Sequence, residues 1–501
     1  MSVGGLARAA LALGGGLLTW LAFPPTGLWP LAIVGVGALC VSVREQRARR
    51  GAWLGALHGI GMFVPLLSWI AVLGPDTLVL LGALQGLFAA GLGATLAVTS
   101  RLPAWPAVAA CLWVAVELAR AWVPFGGFPW GRLAFAQAGS PFASYAAYGG
   151  VALVTGLVAL TAALAAAVVV ERARTRAAAA LGAAVLVAGG LALGAGQSLP
   201  EGPQVAVALV QGNVPGDGMD ALGEARTVTR NHLAATEGLA RRIASGEVPP
   251  VDVVIWPENS TDIDPFRDAE TRAVVDQAVE AIRVPILVGA ILDGPGERFR
   301  RTAGVVWEPG TGPDTDRIYV KRHPVPFGEY IPFREQLLPL VGRLEQVGRE
   351  TFAGMDPGVL EVGGATFGDV ICFEIAYDDI VQDVVAGGAE VLVVQTNNAT
   401  FGGTAQPEQQ FAISRLRAIE TGRSVLVAAT NGISGVIGPD GTVLERTALG
   451  TQDVVVTSVV RASGRTMASR LRSWPEWVLS TLGAAGLGAA VVRRRRDGTD
   501  G

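Results

Sequence analysis

FGDVICFEIAYDD, residues 367–379, decides what kind of domain the less apolar half of this chain forms. The segment opens as a short run with β-branched and aromatic side chains and passes directly into Cys372 and Glu374, the pattern of a buried strand with reactive groups at its end. Similar runs lie on either side: VAVALVQGNV at 205–214, VDVVIWPE at 251–258, VPILVGAIL at 284–292, AGVVWEP at 303–309, AEVLVVQTN at 389–397, RSVLVAATN at 423–431 and SGVIGP at 434–439. Each is bounded by turn residues, and helical stretches such as 221–244 and 407–421 intervene. Alternation of this kind predicts an α/β or layered α-β-β-α domain over residues 204–460, with its chemistry where strands end.

Outside that region the chain changes solvent. Of 501 residues, 50% are hydrophobic and the mean hydropathy is +0.43, more apolar surface than a water-soluble fold keeps covered. The excess is concentrated in runs at 9–23, 28–43, 53–73, 77–98, 105–123, 145–170, 177–193 and 474–492, which predict seven transmembrane helices within residues 1–195 and an eighth after the globular region. A cleaved signal peptide does not fit, because further spans follow the first run. Arginines follow the even-numbered spans: Arg44, Arg47, Arg49 and Arg50; Arg101; Arg172, Arg174 and Arg176; and Arg493 to Arg496. Basic residues beside spans stay on the cytoplasmic side, so both termini, including the basic tail 493–501, are expected inside and residues 204–460 on the outer face of the plasma (inner) membrane. Glu117 and Arg120 lie near the outer end of the fifth span, where snorkelling to the interface accounts for them. The glycine- and aromatic-rich segment PFGGFPWGRLAFAQ, 124–137, reads as a re-entrant or interfacial element.

The net charge of −4 excludes a broad basic face for nucleic acid. Three cysteines and three histidines lie scattered, so neither a disulfide framework nor a metal site can be drawn, and no cofactor is expected. What remains is a set of reactive groups at three strand ends: Glu258 after VVIWP, Lys321 in YVKRHPVPFGEYIPF (319–333), and Cys372. A neutral thiol is a poor nucleophile, so it needs a base to take its proton and a cation to favour thiolate and oxyanion; a glutamate and a lysine meet both needs without histidine.

WPEN around Glu258, the Lys321 segment with PFGEYIPF, and CFE around Cys372 resemble the three motif blocks of the carbon-nitrogen hydrolase, or nitrilase, superfamily. With the eight spans and the FPW at 128–130, the whole chain is similar to the bacterial apolipoprotein N-acyltransferases. The resemblance implies a multi-span α-helical membrane domain plus an α/β nitrilase-like α-β-β-α sandwich. It implies Glu258 as general base, Lys321 as electrostatic stabiliser and Cys372 as nucleophile, with Glu329 and Glu374 as supporting acids and the backbone N–H of Phe373 as an oxyanion donor. TNNATFGGTAQPEQQFAISRLRAIETGR, 396–423, is similar to the stretch that follows the nucleophile strand, but Thr400, Glu408 and Gln410 stand where many relatives carry an aromatic residue and histidines. The implied activity moves an acyl chain from a membrane phospholipid, through a cysteine thioester, to the N-terminal amine of a diacylglyceryl-modified apolipoprotein. A membrane-tethered amidase or nitrilase using the same three residues is the alternative.

Overall fold

The computed structural model describes residues 4–214, 216, 225–339 and 341–499, and these form two units: 1–198 with 466–501, and 199–465. The first unit is helical: Gly5–Leu21, Pro30–Val43, Ala48–Leu66, Pro75–Thr99, Trp105–Trp122, Ala146–Val170, Ala173–Ala195 and Trp474–Thr499. Proline stands at the first or second position of four of these, where its missing N–H would have had no intrahelical partner. Among the described residues, four segments are long and apolar enough to cross a bilayer: Pro75–Thr99, Pro141–Val170, Ala173–Ala195 and Trp474–Arg496. Their outward faces carry Leu80 and Leu87, each 70% exposed, and Leu181, 67% exposed, an apolar surface that lipid must cover. The last helix runs on through the arginine cluster, so most of the expected tail is helical.

Tight helix contacts rest on small residues. A Cβ on Gly55 would meet the carbonyl oxygen of Ala89 at 2.2 Å, so helices Ala48–Leu66 and Pro75–Thr99 approach with their backbones nearly touching. Within this packing lies a polar core that the sequence reading assigned differently. Glu117 and Arg120 do not snorkel; each is 3% exposed. Glu117 accepts hydrogen bonds from Trp113 Nε1 (3.1 Å), the Leu133 N–H (2.9 Å), Thr155 Oγ1 (2.8 Å) and Arg132 Nε (3.3 Å). Arg132 also donates to Glu476 Oε1 at 2.7 Å, and Arg120 donates to Gln85 Oε1 (2.6 Å) and the Trp130 carbonyl (3.1 Å). Segment 124–137 thus closes over a buried charge network and makes a short 3-10 turn at Leu133–Ala136. Buried charges persist only when paired in this way.

The second unit contains two sheets. Strands β1 (Gln204–Gln211), β2 (Val253–Ile255), β3 (Ile286–Asp293), β4 (Phe299–Glu308), β5 (Gly312–Val320) and β6 (Glu350–Thr351) belong to one, and β7 (Val359–Val362), β8 (Ala365–Ile371), β9 (Val391–Thr396), β10 (Val425–Ala429), β11 (Gly435–Ile437) and β12 (Val443–Arg446) make the other. β13 (Asp453–Val460) returns to the first, giving the order β13-β1-β2-β3-β4-β5 with β6 on β4, against β12-β11-β10-β9-β8-β7. Leu209, Ile255 and Val306 of one sheet share a core with Phe367, Val393 and Leu426 of the other. Helices Thr227–Ala244 and Ala269–Ile282 cover the outer face of the first sheet through Leu239, Val275 and Val279. Helices Asp378–Ala386 and Gln406–Thr421 contact β8 and β10 of the second. The chain therefore joins a helical membrane domain to an α-β-β-α sandwich. Of the helical stretch expected at 221–244, residues 221–224 lie outside the described residues.

Three strands run parallel in each half, β1-β2-β3 and β8-β9-β10, so their carboxyl ends gather the side chains that follow them. The sequence reading missed β5, β6, β7, β12 and β13. β5 (GPDTDRIYV) and β12 (VLER) are too polar for an apolar-run search, and β7 has only four residues.

Candidate active site

Glu258 stands three residues beyond β2, Lys321 directly after β5 and Cys372 directly after β8. Lys321 Nζ donates to Glu258 Oε1 and to Glu329 Oε1, each at 2.9 Å, and the lysine is 1% exposed. The second oxygen of Glu258 accepts the Asn397 N–H at 2.9 Å, while that of Glu329 accepts the Val325 N–H at 2.6 Å. One ammonium thus lies between two anchored carboxylates. Burial is the largest single influence on Lys321 and acts to lower it, but the surrounding charges, Glu258 and Glu329 first and then Cys372 and Glu374, together hold it well above the usual lysine range. Burial raises the Glu258 carboxyl above the ordinary glutamate value despite the opposing pull of Lys321.

The corner carrying Glu258 depends on a glycine. A Cβ on Gly289 of β3 would lie 2.0 Å from the Pro257 carbonyl oxygen and 2.8 Å from Glu258 Cα. The Gly289 carbonyl accepts from Ser260 N and Ser260 Oγ, each at 2.8 Å, fastening the turn beyond Glu258 to the strand.

Cys372 has φ +56, the left-handed region that a side-chain-bearing residue enters at a cost, so the chain turns sharply where β8 ends, and the residue as a whole is half-buried. Thr396 Oγ1 donates to Sγ at 3.3 Å. Burial first, and the charge of Glu258 second, push the thiol up to about 12, with Lys321 and the Thr396 hydrogen bond pulling the other way.

The expected supporting groups divide. Glu329 shares the Lys321 ammonium. Glu374 is fully buried and accepts four hydrogen bonds: from Tyr319 Oη and the Ile371 N–H, each at 2.8 Å, and from the backbone N–H groups of Arg322 (2.7 Å) and His323 (2.9 Å). It therefore ties the residues after Lys321 to the cysteine turn. Phe373 is buried with its ring edge-on to Tyr377, centroids 5.7 Å apart. Arg417 supports the same turn through the carbonyls of Ile375 (2.9 Å) and Ala376 (3.0 Å), with ion pairs to Asp378 (2.7 Å) and Glu420 (2.6 Å).

Thr396 and the backbone of Asn397 were not singled out from sequence. Their place at the end of an apolar run was visible, but it is the parallel pairing of β9 with β8, which sets Gln395 beside Ile371, that makes the residues beyond that pair neighbours. Glu408, by contrast, pairs with Arg446 at the surface. A surface cavity of about 590 Å³ lies at the amino-terminal ends of β3 and β8, away from this site, and its arginines Arg317 and Arg461 are already paired with carboxylates.

The comparisons with known proteins divide at the same place as the structure. Residues 15–164 match the profile of the apolipoprotein N-acyltransferase N-terminal domain, and residues 206–469 match that of carbon-nitrogen hydrolase. The apolipoprotein N-acyltransferase of Mycolicibacterium smegmatis is 36% identical over 88% of this chain and 78% of its own length. That of Azotobacter vinelandii is 32% identical over 97% of this chain and 95% of its own length. Among solved structures, a mutant of the Nesterenkonia AN1 amidase from the nitrilase superfamily is 16% identical, covering 55% of this chain and 97% of the amidase, with a TM-score of 0.39.

Proposed function

Because the chain belongs to the apolipoprotein N-acyltransferase family, an integral membrane acyltransferase family, we propose that Cys372 carries the acyl group as a thioester between a membrane phospholipid and the N-terminal amine of a diacylglyceryl-cysteine lipoprotein. The observation that carries this reading is the gathering of Glu258, Lys321 and Cys372 at the ends of three separate strands, each charge acting on the thiol.

In the first half-reaction the Cys372 thiol proton passes to Glu258 as sulfur attacks the ester carbonyl. A resting thiol held near 12 suits this, because proton transfer coupled to attack avoids a standing buried thiolate. Lys321 balances the oxyanion, with a backbone N–H of the cysteine turn as second donor. The carbon–oxygen bond to the lysophospholipid then breaks, and Glu258 returns its proton to the departing oxygen. In the second half the α-amine attacks the thioester carbonyl and gives a proton to Glu258. The carbon–sulfur bond breaks, sulfur takes that proton back, and an amide remains.

The apolar runs support eight membrane-crossing helices over residues 1–195 and 474–492, four of them long and apolar enough by themselves, and the arginine clusters support both termini in the cytoplasm and residues 204–460 outside. Both substrates are lipids, so a site at the membrane surface admits their tails while limiting water that would discharge the thioester.

Intact-mass measurement of the purified protein with phospholipid, then with a diacylglyceryl-peptide, tests the reading against Cys372→Ala. A hydroxylamine-labile acyl adduct that needs Cys372 and disappears as the peptide becomes N-acylated is expected. Discharge by water at the same rate, with the peptide untouched, would make the protein a tethered hydrolase.

A further inference from the structure

The sulfur of Cys372 is touched by a neutral group whose orientation is set from behind. Gln410 Oε1 accepts from Asn398 Nδ2 at 2.7 Å and from Gln406 Nε2 at 3.2 Å. With both lone pairs engaged, the Gln410 amide turns its Nε2 toward Thr396 Oγ1, 3.1 Å away. Thr396 Oγ1 also lies 3.2 Å from Gln410 Oε1, but that oxygen already takes two donors. A hydroxyl that accepts from Gln410 keeps its single proton for another acceptor, and Sγ stands at 3.3 Å. Thr396, Asn398, Gln406 and Gln410 are each at most 4% exposed, so water cannot easily reorient the chain.

We propose that Thr396 is a further catalytic residue, whose hydroxyl donates a hydrogen bond to the Cys372 sulfur as it becomes a thiolate and again as it leaves as one. The inference rests on Cys372 being the nucleophile. A thiol and a thioester sulfur are weak acceptors and a thiolate is a strong one, so the bond strengthens only where negative charge develops. The threonine proton stays on its oxygen throughout. The hydroxyl works beside Lys321, the ammonium balancing charge and the hydroxyl holding the sulfur in one direction.

The test is the pH profile of Cys372 alkylation by iodoacetamide in the full-length protein in detergent, read on the Cys372 peptide by mass spectrometry for wild type, Thr396→Val and Thr396→Ser. Thr396→Val keeps the branched shape and loses the hydroxyl. A hydrogen bond to a charged group is worth on the order of a ten- to hundredfold change in rate, so alkylation at fixed pH should slow by about that factor and the profile should move to higher pH. Thr396→Ser should restore both. If the valine variant does not fold, Thr396→Ala is read the same way. An unmoved profile in the folded variant, or a shift that serine fails to rescue, overturns the proposal and leaves Thr396 a structural residue. Alkylation needs no lipid, so a shifted profile without an acyl adduct would sink the transfer reading alone, and a normal adduct with an unmoved profile would sink this one alone.

Discussion

Arg132 and Glu476 are 344 residues apart in sequence and 2.7 Å apart in the structure, with the guanidinium buried. The pair joins segment 124–137 to the C-terminal helix, and Glu117 extends it to helix Trp105–Trp122. A buried charge that loses its partner is far costlier than the pair itself is stabilising. Arg132→Met should therefore cost about 3–5 kcal/mol, read as a lowered thermal midpoint in detergent. Glu476→Gln, which keeps an acceptor oxygen for Arg132, should cost clearly less. Equal midpoints for Arg132→Met and wild type would show that the network does not hold this unit together.

Much of this architecture was legible from sequence. The change of solvent along the chain, the strands of Val and Ile, and the strand-end positions of Glu258, Lys321 and Cys372 could be read because each leaves a local mark: an apolar run, a β-branched cluster, or a reactive residue where such a run stops. The Arg132–Glu476 pair leaves no such mark, since neither residue's neighbours announce a partner so distant in the chain. Glu117 and Arg120 were misread for the same reason, because distance from a helix end says nothing about which neighbouring helix covers a side chain. Thr396 was missed although it closes β9, and Gln410 was noted only as a departure from the family pattern, because which strand lies beside β8 and which way an amide or hydroxyl points are settled only by the fold.

The Lys321 ammonium is the common partner of Glu258 and Glu329. Lys321→Met should destabilise the protein by about 3–5 kcal/mol by leaving two carboxylates without their cation, and should abolish acyl-enzyme formation. The wild-type contribution also has a pH window. The folded lysine is held well above its ordinary value of 10.5, so its stabilisation is complete below that value and is lost as pH rises through the higher folded value. The part of alkaline unfolding that Lys321→Met removes should therefore lie above pH 10.5 in the wild type.

In the proposed first half-reaction Glu258 must be ionised to accept the thiol proton, and burial raises its carboxyl above the ordinary 4.5. Acyl-enzyme formation should therefore fall as pH drops through a midpoint above 4.5, measured by single-turnover mass analysis. Glu258→Gln separates two effects of the same group. It removes the base, so turnover should be lost, and it removes a negative charge that raises the thiol, so Cys372 should titrate below the wild-type value of about 12 in iodoacetamide alkylation. A thiol that instead titrates higher in this variant would contradict the electrostatic reading of the site.

Gly289 is the position where the smallest substitution should have the largest consequence for the site. An alanine methyl there would sit 2.0 Å from the Pro257 carbonyl oxygen, and backbone cannot swing aside as a flexible side chain can. β3 and the Glu258 corner must separate, which should cost about 1–3 kcal/mol as overpacking does. The larger effect should fall on rate. Glu258 is set by contacts to Lys321 and Asn397, each 2.9 Å long, and a displacement of about 1 Å in a catalytic group typically costs on the order of 10²-fold. Gly464→Ala is the matched control, because a Cβ there meets nothing within 4 Å, and it should change stability by less than about 0.5 kcal/mol. Thermal unfolding and acyl-enzyme formation, measured on both variants, distinguish the two costs. A Gly289→Ala enzyme that loses stability but keeps wild-type rates would mean that the Glu258 corner moves as a rigid piece with its partners.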